Sequence, residues 1–215
     1  MKPALKFWRR TGLTGLVLAL VIGGCAFLGP KAERWTPPPA GASWEMAQRN
    51  TGSYGKDALV RLTRGDGMWQ GAPVITFVGS QGVTTMARTD GRWIAMVGRD
   101  GKAITSWDPP LGFEYPMTVG KSWVSPFRMT LGASGKTIAY DLACKIESHE
   151  KVTVKAGTFE AFKIVCNTNI GNEEIYWANP DVGVFIKTQL RRTEKSPFGP
   201  GTQEAELVSA PALPR

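Results

Sequence analysis

The sequence predicts an all-β domain of antiparallel strands, arranged as a sandwich or open barrel of two similar intertwined β-units, behind an N-terminal signal or anchor helix. Three observations carry this. Beyond residue 30 no segment shows a helical period, whereas short alternating apolar runs recur at roughly ten-residue spacing. Gly 25 and Pro 15 supply the turns that many short strands require. Residues 1–24 hold four basic residues and no acid ahead of and within one apolar run.

Lys6 to Arg10 forms a positive n-region and Leu13 to Ile22 an apolar h-region, the pattern of a secretory signal. Ile22-Gly-Gly-Cys25 closes it and resembles the lipobox of bacterial lipoproteins, so the Cys25 thiol is the expected lipidation site. Small residues before Cys25 fit the signal peptidase that acts on such thioethers. Two other readings stay open: an uncleaved anchor, since Gly12 to Gly29 is nearly long enough to span, and release by an ordinary signal peptidase. Ala26 in place of Asp gives no argument for retention in an inner membrane. Residues 25–40, with Pro37-Pro38-Pro39, read as a stiff tether that lifts the domain off the lipid.

The first β-unit is expected over 41–110. Its strands lie near Ala58–Thr63, Val74–Phe77, Val83–Arg88, Arg92–Val97 and Ala103–Trp107, separated by turn signals such as Asp90-Gly91 and Asp100-Gly101. The second is expected over 111–208. Its strands lie near Trp123–Leu131, Thr137–Ile146, Lys151–Val154, Phe159–Asn167, Glu174–Trp177, Gly183–Leu190 and Glu204–Val208. Residues 209–215 read as a loose tail. Gly41-Ala-Ser-Trp44 recurs as Gly120-Lys-Ser-Trp123, an offset of 79, and Arg92–Met96 parallels Glu173–Trp177 at an offset of 81. The two units therefore look like repeats that pack because neither alone buries an adequate core.

Within the second unit, Glu150 to Cys166 reads as a hairpin with Gly157 at the reversal and Val152, Val154, Phe162 and Ile164 facing one core. Cys144 and Cys166 share that parity. An even cysteine pair in an exported domain favours a disulfide, with two separate buried thiols as the alternative. With Val154 opposite Phe159, ideal register sets Cys144 against Asn169. Bridging Cys166 then needs about three extra residues, for which the polar run Glu147–Lys151 offers a bulge.

Charge is informative mainly by its placement. Lys2, Lys6, Arg9 and Arg10 account for four of the eight net positive charges, and the rest are scattered among acids. A nucleic-acid surface clusters its cations, so no nucleic-acid partner is expected. The run Lys187–Lys195 reads as a solvated strand face. His149, the single histidine, falls in the polar bend and reads as exposed. One imidazole and no repeated carboxylate pattern leave no expected metal, cofactor or catalytic residue. Trp44 and Trp123 are expected to plug the ends of the two units. Trp35 and Trp69, flanked by polar or Gly residues, are the candidates for an exposed ligand surface.

The hairpin "KVTVKAGTFEAFKIVC", followed by "EEIYWANPDVGVFIKTQ" and preceded by Pro116-Met-Thr-Val-Gly-Lys-Ser-Trp123, resembles the TapB-like family of uncharacterised exported bacterial lipoproteins. Lys155 stands where proline is usual, and Asn179 precedes Pro180. The resemblance covers about residues 107–192 and implies a β-rich exported domain, by analogy the two-lobed all-β architecture of YmcC-like lipoproteins. It supplies no catalytic residue. The expectation is a lipid-anchored envelope protein, facing the periplasm from the outer membrane. It would be a non-catalytic binding or structural module whose partner is the membrane together with an envelope protein, lipid or glycan. The rival readings are a periplasmic carrier or chaperone of lipid, lipoprotein or glycan and, behind it, an uncharacterised enzyme.

Overall fold

The computed structural model describes residues 29–213. The signal segment 1–24 and Cys25 lie outside them. In chain order the strands are β1 (Lys31–Ala32), β2 (Ser43–Gly52), β3 (Ala58–Trp69), β4 (Ala72–Gly79), β5 (Thr84–Ala87), β6 (Trp93–Val97), β7 (Ala103–Leu111) and β8 (Met117–Thr118). There follow β9 (Ser122–Leu131), β10 (Thr137–Val154), β11 (Gly157–Thr168), β12 (Asn172–Asn179), β13 (Val184–Arg192) and β14 (Gly201–Ala212).

Strands β2–β7 and β9–β14 form two antiparallel meanders of six strands each. They are joined by β7 against β9, Thr105 opposite Leu131, and by β14 against β2, Gly201 opposite Gly52. The result is a closed barrel rather than a sandwich or open barrel. Pairing at both seams leaves no free edge, which removes the hazard of unpaired N–H and C=O rows. All adjacent strands are antiparallel, so connections alternate between two rims. One rim holds the turns β3–β4, β5–β6, β7–β9, β10–β11 and β12–β13, and β1 pairs with β8 there. We call it the tether rim and the opposite one the distal rim.

The interior is filled by two apolar clusters. One gathers Trp123, Phe127, Met129, Tyr140, Leu142, Ile146, Phe162 and Ile164 about the cysteine pair. The other gathers Trp44, Met46, Val154, Ala161, Ile186 and Leu207. The hairpin β10–β11 spans both. Phe159 and Ala161 pack in the second cluster, whereas Phe162, Ile164 and Cys166 pack in the first. The expected single core under the hairpin is thus two cores, because the inward parity of β11 switches between Ala161 and Phe162, near the β10 bulge.

The bulge falls between Ile146 and Ser148, within the expected polar run, and skips one residue, Glu147. The turn is tighter than expected: Val154 pairs with Gly157, not Phe159, so Lys155 and Ala156 make the reversal. Gly157 closes it with φ 132, a conformation L side chains rarely adopt. One skipped residue and the tighter turn together set Cys144 opposite Cys166.

Three further expectations change. Ser43–Gly52, unassigned from sequence, is the seam strand β2. Residues 209–212 are strand, with Ala212 opposite Ser43 and the Ser209 hydroxyl accepting the Glu45 amide, so the tail is not loose up to Ala212. Residues 31–38 are not a free tether. Lys31 and Ala32 pair with Thr118 and Met117, the Thr36 amide donates to the Pro180 carbonyl at 3.0 Å, and Pro38 is buried. Gly183 is needed there, because a Cβ would sit 2.3 Å from the Thr36 carbonyl oxygen.

The repeat is visible in its first half only. β2 and β9 are both ten residues long, and each carries a buried tryptophan at its second position. β3 and β10 begin at 58 and 137, again 79 apart. The offset-81 likeness joins the fifth strand of one meander, β6, to the fourth of the other, β12, so it has no topological meaning.

Candidate functional site

One row of directly opposed residues runs around half of the barrel interior: Trp123, Cys144, Cys166, Glu174, Leu190, Gln203 and Asn50. Each faces inward because its strand alternates with the pleat. Cys144 and Cys166 are joined by a disulfide across the two strands, with Cα atoms 4.1 Å apart. Both are buried, at 3% and 0% exposure. Glu174 lies beside this bridge. It is partly exposed by surface area yet ringed by protein at longer range. Burial pushes its carboxyl above the ordinary glutamate range, while the Tyr176 hydroxyl and Arg192 pull it back. The Tyr176 hydroxyl donates to Glu174 Oε2 at 2.5 Å, and burial next to that carboxylate raises the tyrosine as well.

Towards the tether rim this row meets aromatic rings. Tyr176 and Phe185 lie 5.0 Å apart, Phe113 lies edge-on to Tyr176 at 5.2 Å, and Trp93 links Phe185 to Trp107. These contacts occupy the middle of the barrel with side chains.

At the distal rim the strand ends and their connections border a polar recess of about 880 Å³, walled by both inward- and outward-facing residues. Its walls include Thr51, Asn167, Thr168, Asn172, Arg192 and Thr202. Arg192 is the central group. It ends β13 on the inward parity of Ile186, Thr188 and Leu190, opposite Asn172. Its guanidinium lies 4.0 Å from the Tyr54 ring centre and 4.8 Å from that of Phe198, a cation–π sandwich. Nη1 donates to Ser53 Oγ at 3.3 Å. Burial raises the Tyr54 phenol and the adjacent Arg192 opposes that rise. Arg192 Nε, Asn172 Oδ1 and Asn50 Oδ1 are buried without a hydrogen-bond partner. Such orphans are uncommon and mark where water or a polar ligand completes the site.

Sequence reasoning missed this constellation. Lys187–Lys195 divides between two faces. Lys187 and Arg191 pair outward with Glu206 and Glu173, while Arg192 turns in. The signal was the even-numbered apolar series that Arg192 terminates. The sequence candidates lie elsewhere. Trp35 donates from Nε1 to the Gly183 carbonyl at 3.0 Å and stands edge-on to Phe77, so it is a tether fastening rather than a free surface. Trp69 ends β3 on the tether rim, half-buried. The structure does not bring the two together into a ligand-lined concavity. His149 is half-buried rather than exposed, edge-on to Phe162 at 4.6 Å with Glu160 Oε2 3.7 Å from Nδ1. It lines a second recess of about 430 Å³ beneath residues 30–34. Among the described residues no group of three His, Cys, Asp or Glu side chains could hold a metal ion.

No family model matches the chain, so the TapB-like resemblance rests on the motifs within about residues 107–192 alone. No curated protein matches it either. Three solved structures are similar in fold. A candidate exported protein with a YmcC-like fold from Bacteroides fragilis NCTC 9343 shares 13% identity over 83% of this chain and 99% of its own, with a TM-score of 0.44. The hypothetical lipoprotein YmcC from Escherichia coli (K12) shares 9% over 80% and 86%, TM-score 0.44. A candidate lipoprotein from Parabacteroides distasonis ATCC 8503 shares 11% over 83% and 98%, TM-score 0.40.

Proposed function

We propose that this chain is an exported, lipid-anchored protein of the cell envelope, facing the periplasm from the outer membrane. It acts as a non-catalytic binding module. Its site is the distal recess, and its ligand is a hydroxyl-rich molecule of the glycan class. The compartment is supported by the lipobox-like Ile22–Cys25 and by the Cys144–Cys166 bridge, which suits an oxidising environment.

The ligand class rests on one observation. The recess is walled by Arg192, a stacked arginine with an unpartnered buried donor, and by Asn172, with an unpartnered buried acceptor. Sugar hydroxyls both donate and accept, so they answer both at once. A carrier of lipid chains would need an apolar lining instead, and the barrel centre is occupied by the Tyr176–Phe185–Phe113 stack.

The test is carbohydrate and lipid analysis of material that copurifies with the full-length protein from native membranes, followed by binding measurements with the isolated glycan. Arg192→Gln is expected to weaken binding about tenfold, the worth of one hydrogen bond to a charged group at ~1.5 kcal/mol. Asn172→Ala, whose side-chain oxygen has no partner to lose within the fold, is expected to weaken it with melting unchanged. Copurifying acyl lipid without carbohydrate, or unaltered affinity in both variants, refutes the reading.

A further inference from the structure

We infer that the tether rim is a membrane-contact surface, which seats the barrel directly on the lipid bilayer and turns the distal recess away from it. The inference rests on the lipidated Cys25 proposed above and on three independent features of the described residues.

The first is reach. Cys25 and Lys31 are six residues apart, so an extended chain between them covers about 20 Å. Lys31 is already paired on the tether rim. Strand β2 alone is ten residues, or about 33 Å at the rise of an antiparallel strand. A lipid on Cys25 therefore holds the tether rim near the headgroups and leaves the distal rim beyond its range. Residues 31–38 add no free length to that span, because they are bound to the barrel through β1, Trp35 and Thr36.

The second is apolar exposure. Met68 at the β3–β4 tip is 63% exposed, Val119 just after β8 is 48% exposed, and Val124 near the start of β9 is 65% exposed. All three belong to the tether-rim third of the barrel. Trp69, half-buried next to Met68, adds the amphipathic ring that favours the headgroup level.

The third is charge. Arg34, Lys121 and Lys155 stand on the same rim with no acidic side chain in ion-pair range among the described residues. Glu33 is matched by Lys31 and Asp66 by Arg64, so that the unpaired acids of this rim among the described residues are Glu114 and Asp181, against the three unpaired cations. Cations around small apolar projections suit an anionic bilayer surface.

Site-specific photocrosslinking of the full-length protein in its own membranes tests this. A p-benzoylphenylalanine replaces Met68, Val119 or Val124 in turn. The controls are Leu59 and Ile104, which are comparably exposed at 58% and 47% but lie at the distal end of their strands. Phospholipid adducts are expected at the first three positions and none above background at the controls. Labelled palmitate is followed in the same samples, with Cys25→Ser as its reference. Palmitate incorporation without adducts on the tether rim overturns the contact surface and leaves the anchor standing. Tether-rim adducts without palmitate retain the surface and overturn the anchor. Equal adduct yields at both rims, or loss of both signals, overturns the inference.

Discussion

Breaking the Cys144–Cys166 bridge should lower stability by a calculable amount. The two residues are 22 apart in sequence, and closing a loop of that length in the unfolded chain removes entropy worth about 3 kcal/mol at 25 °C. The Cys144→Ala/Cys166→Ala double variant also loses two buried sulfur atoms from the cluster of Trp123, Leu142 and Ile164, which adds to the cost. Alanine is preferred to serine because a buried hydroxyl there could form new hydrogen bonds with Glu174 or Trp123, opposite the two cysteines, and so confound the comparison. In a domain of this size each kcal/mol moves the melting temperature by about 2–4 °C, so a fall of roughly 6–12 °C is expected. The assay is thermal unfolding of wild type and double variant, each with and without reductant. Wild type unfolded in reductant should approach the variant, and the variant should not respond to reductant. A double variant that melts within about 2 °C of oxidised wild type would mean that the strand pairing, rather than the bridge, holds β10 to β11.

Gly132→Ala should destabilise by about 3 kcal/mol or more, because the new Cβ would fall 1.6 Å from the Ala103 carbonyl oxygen, a backbone atom that cannot yield without opening the β7–β9 seam; calorimetry decides, and a near-neutral change would refute that close approach. Glu174→Gln should raise stability at neutral pH. Burial makes the folded-state carboxyl bind its proton more tightly than the unfolded chain does, so wild type gains stability as pH falls through the raised folded value and stops gaining below the ordinary 4.5. The advantage of Gln over Glu should accordingly shrink towards pH 4.5, and a gap that widens on acidification would refute the assigned direction.

How much was legible can be judged strand by strand. Strands with clean alternation, such as Thr137–Ile146 and the stretch Phe162–Cys166, were readable because one face is buried and the other is more open to water. The shared parity of Cys144 and Cys166 made their bridge a direct consequence once register was set. Register itself depended on a skipped residue at Glu147 and a reversal at Lys155-Ala156. Neither carries a compositional mark strong enough to choose it over a three-residue bulge. Ser43–Gly52 escaped assignment because its inward side turns from Trp44 and Met46 to Gln48 and Asn50, and a strand lining a polar recess does not alternate in hydropathy.

The recess residues were unreadable for a related reason. Arg192 and Asn172, and the Tyr54 that stacks on Arg192, come from the ends of different strands and turns, and each alone looks like an ordinary loop or surface residue. Their meeting depends on β12, β13 and the β2–β3 turn arriving at one rim. Local pattern, which acts over a few residues through pleat, turn geometry and an apolar N-terminal run, was sufficient for an all-β domain, its thiol pair and a candidate lipidation site. Closure of the barrel, the split into two cores, the binding down of residues 31–38 and the inward turn of Arg192 are contacts between segments far apart in the chain. Only the tertiary structure decided them, because which buried faces meet is set by the packing of the whole barrel and not by any one stretch of it.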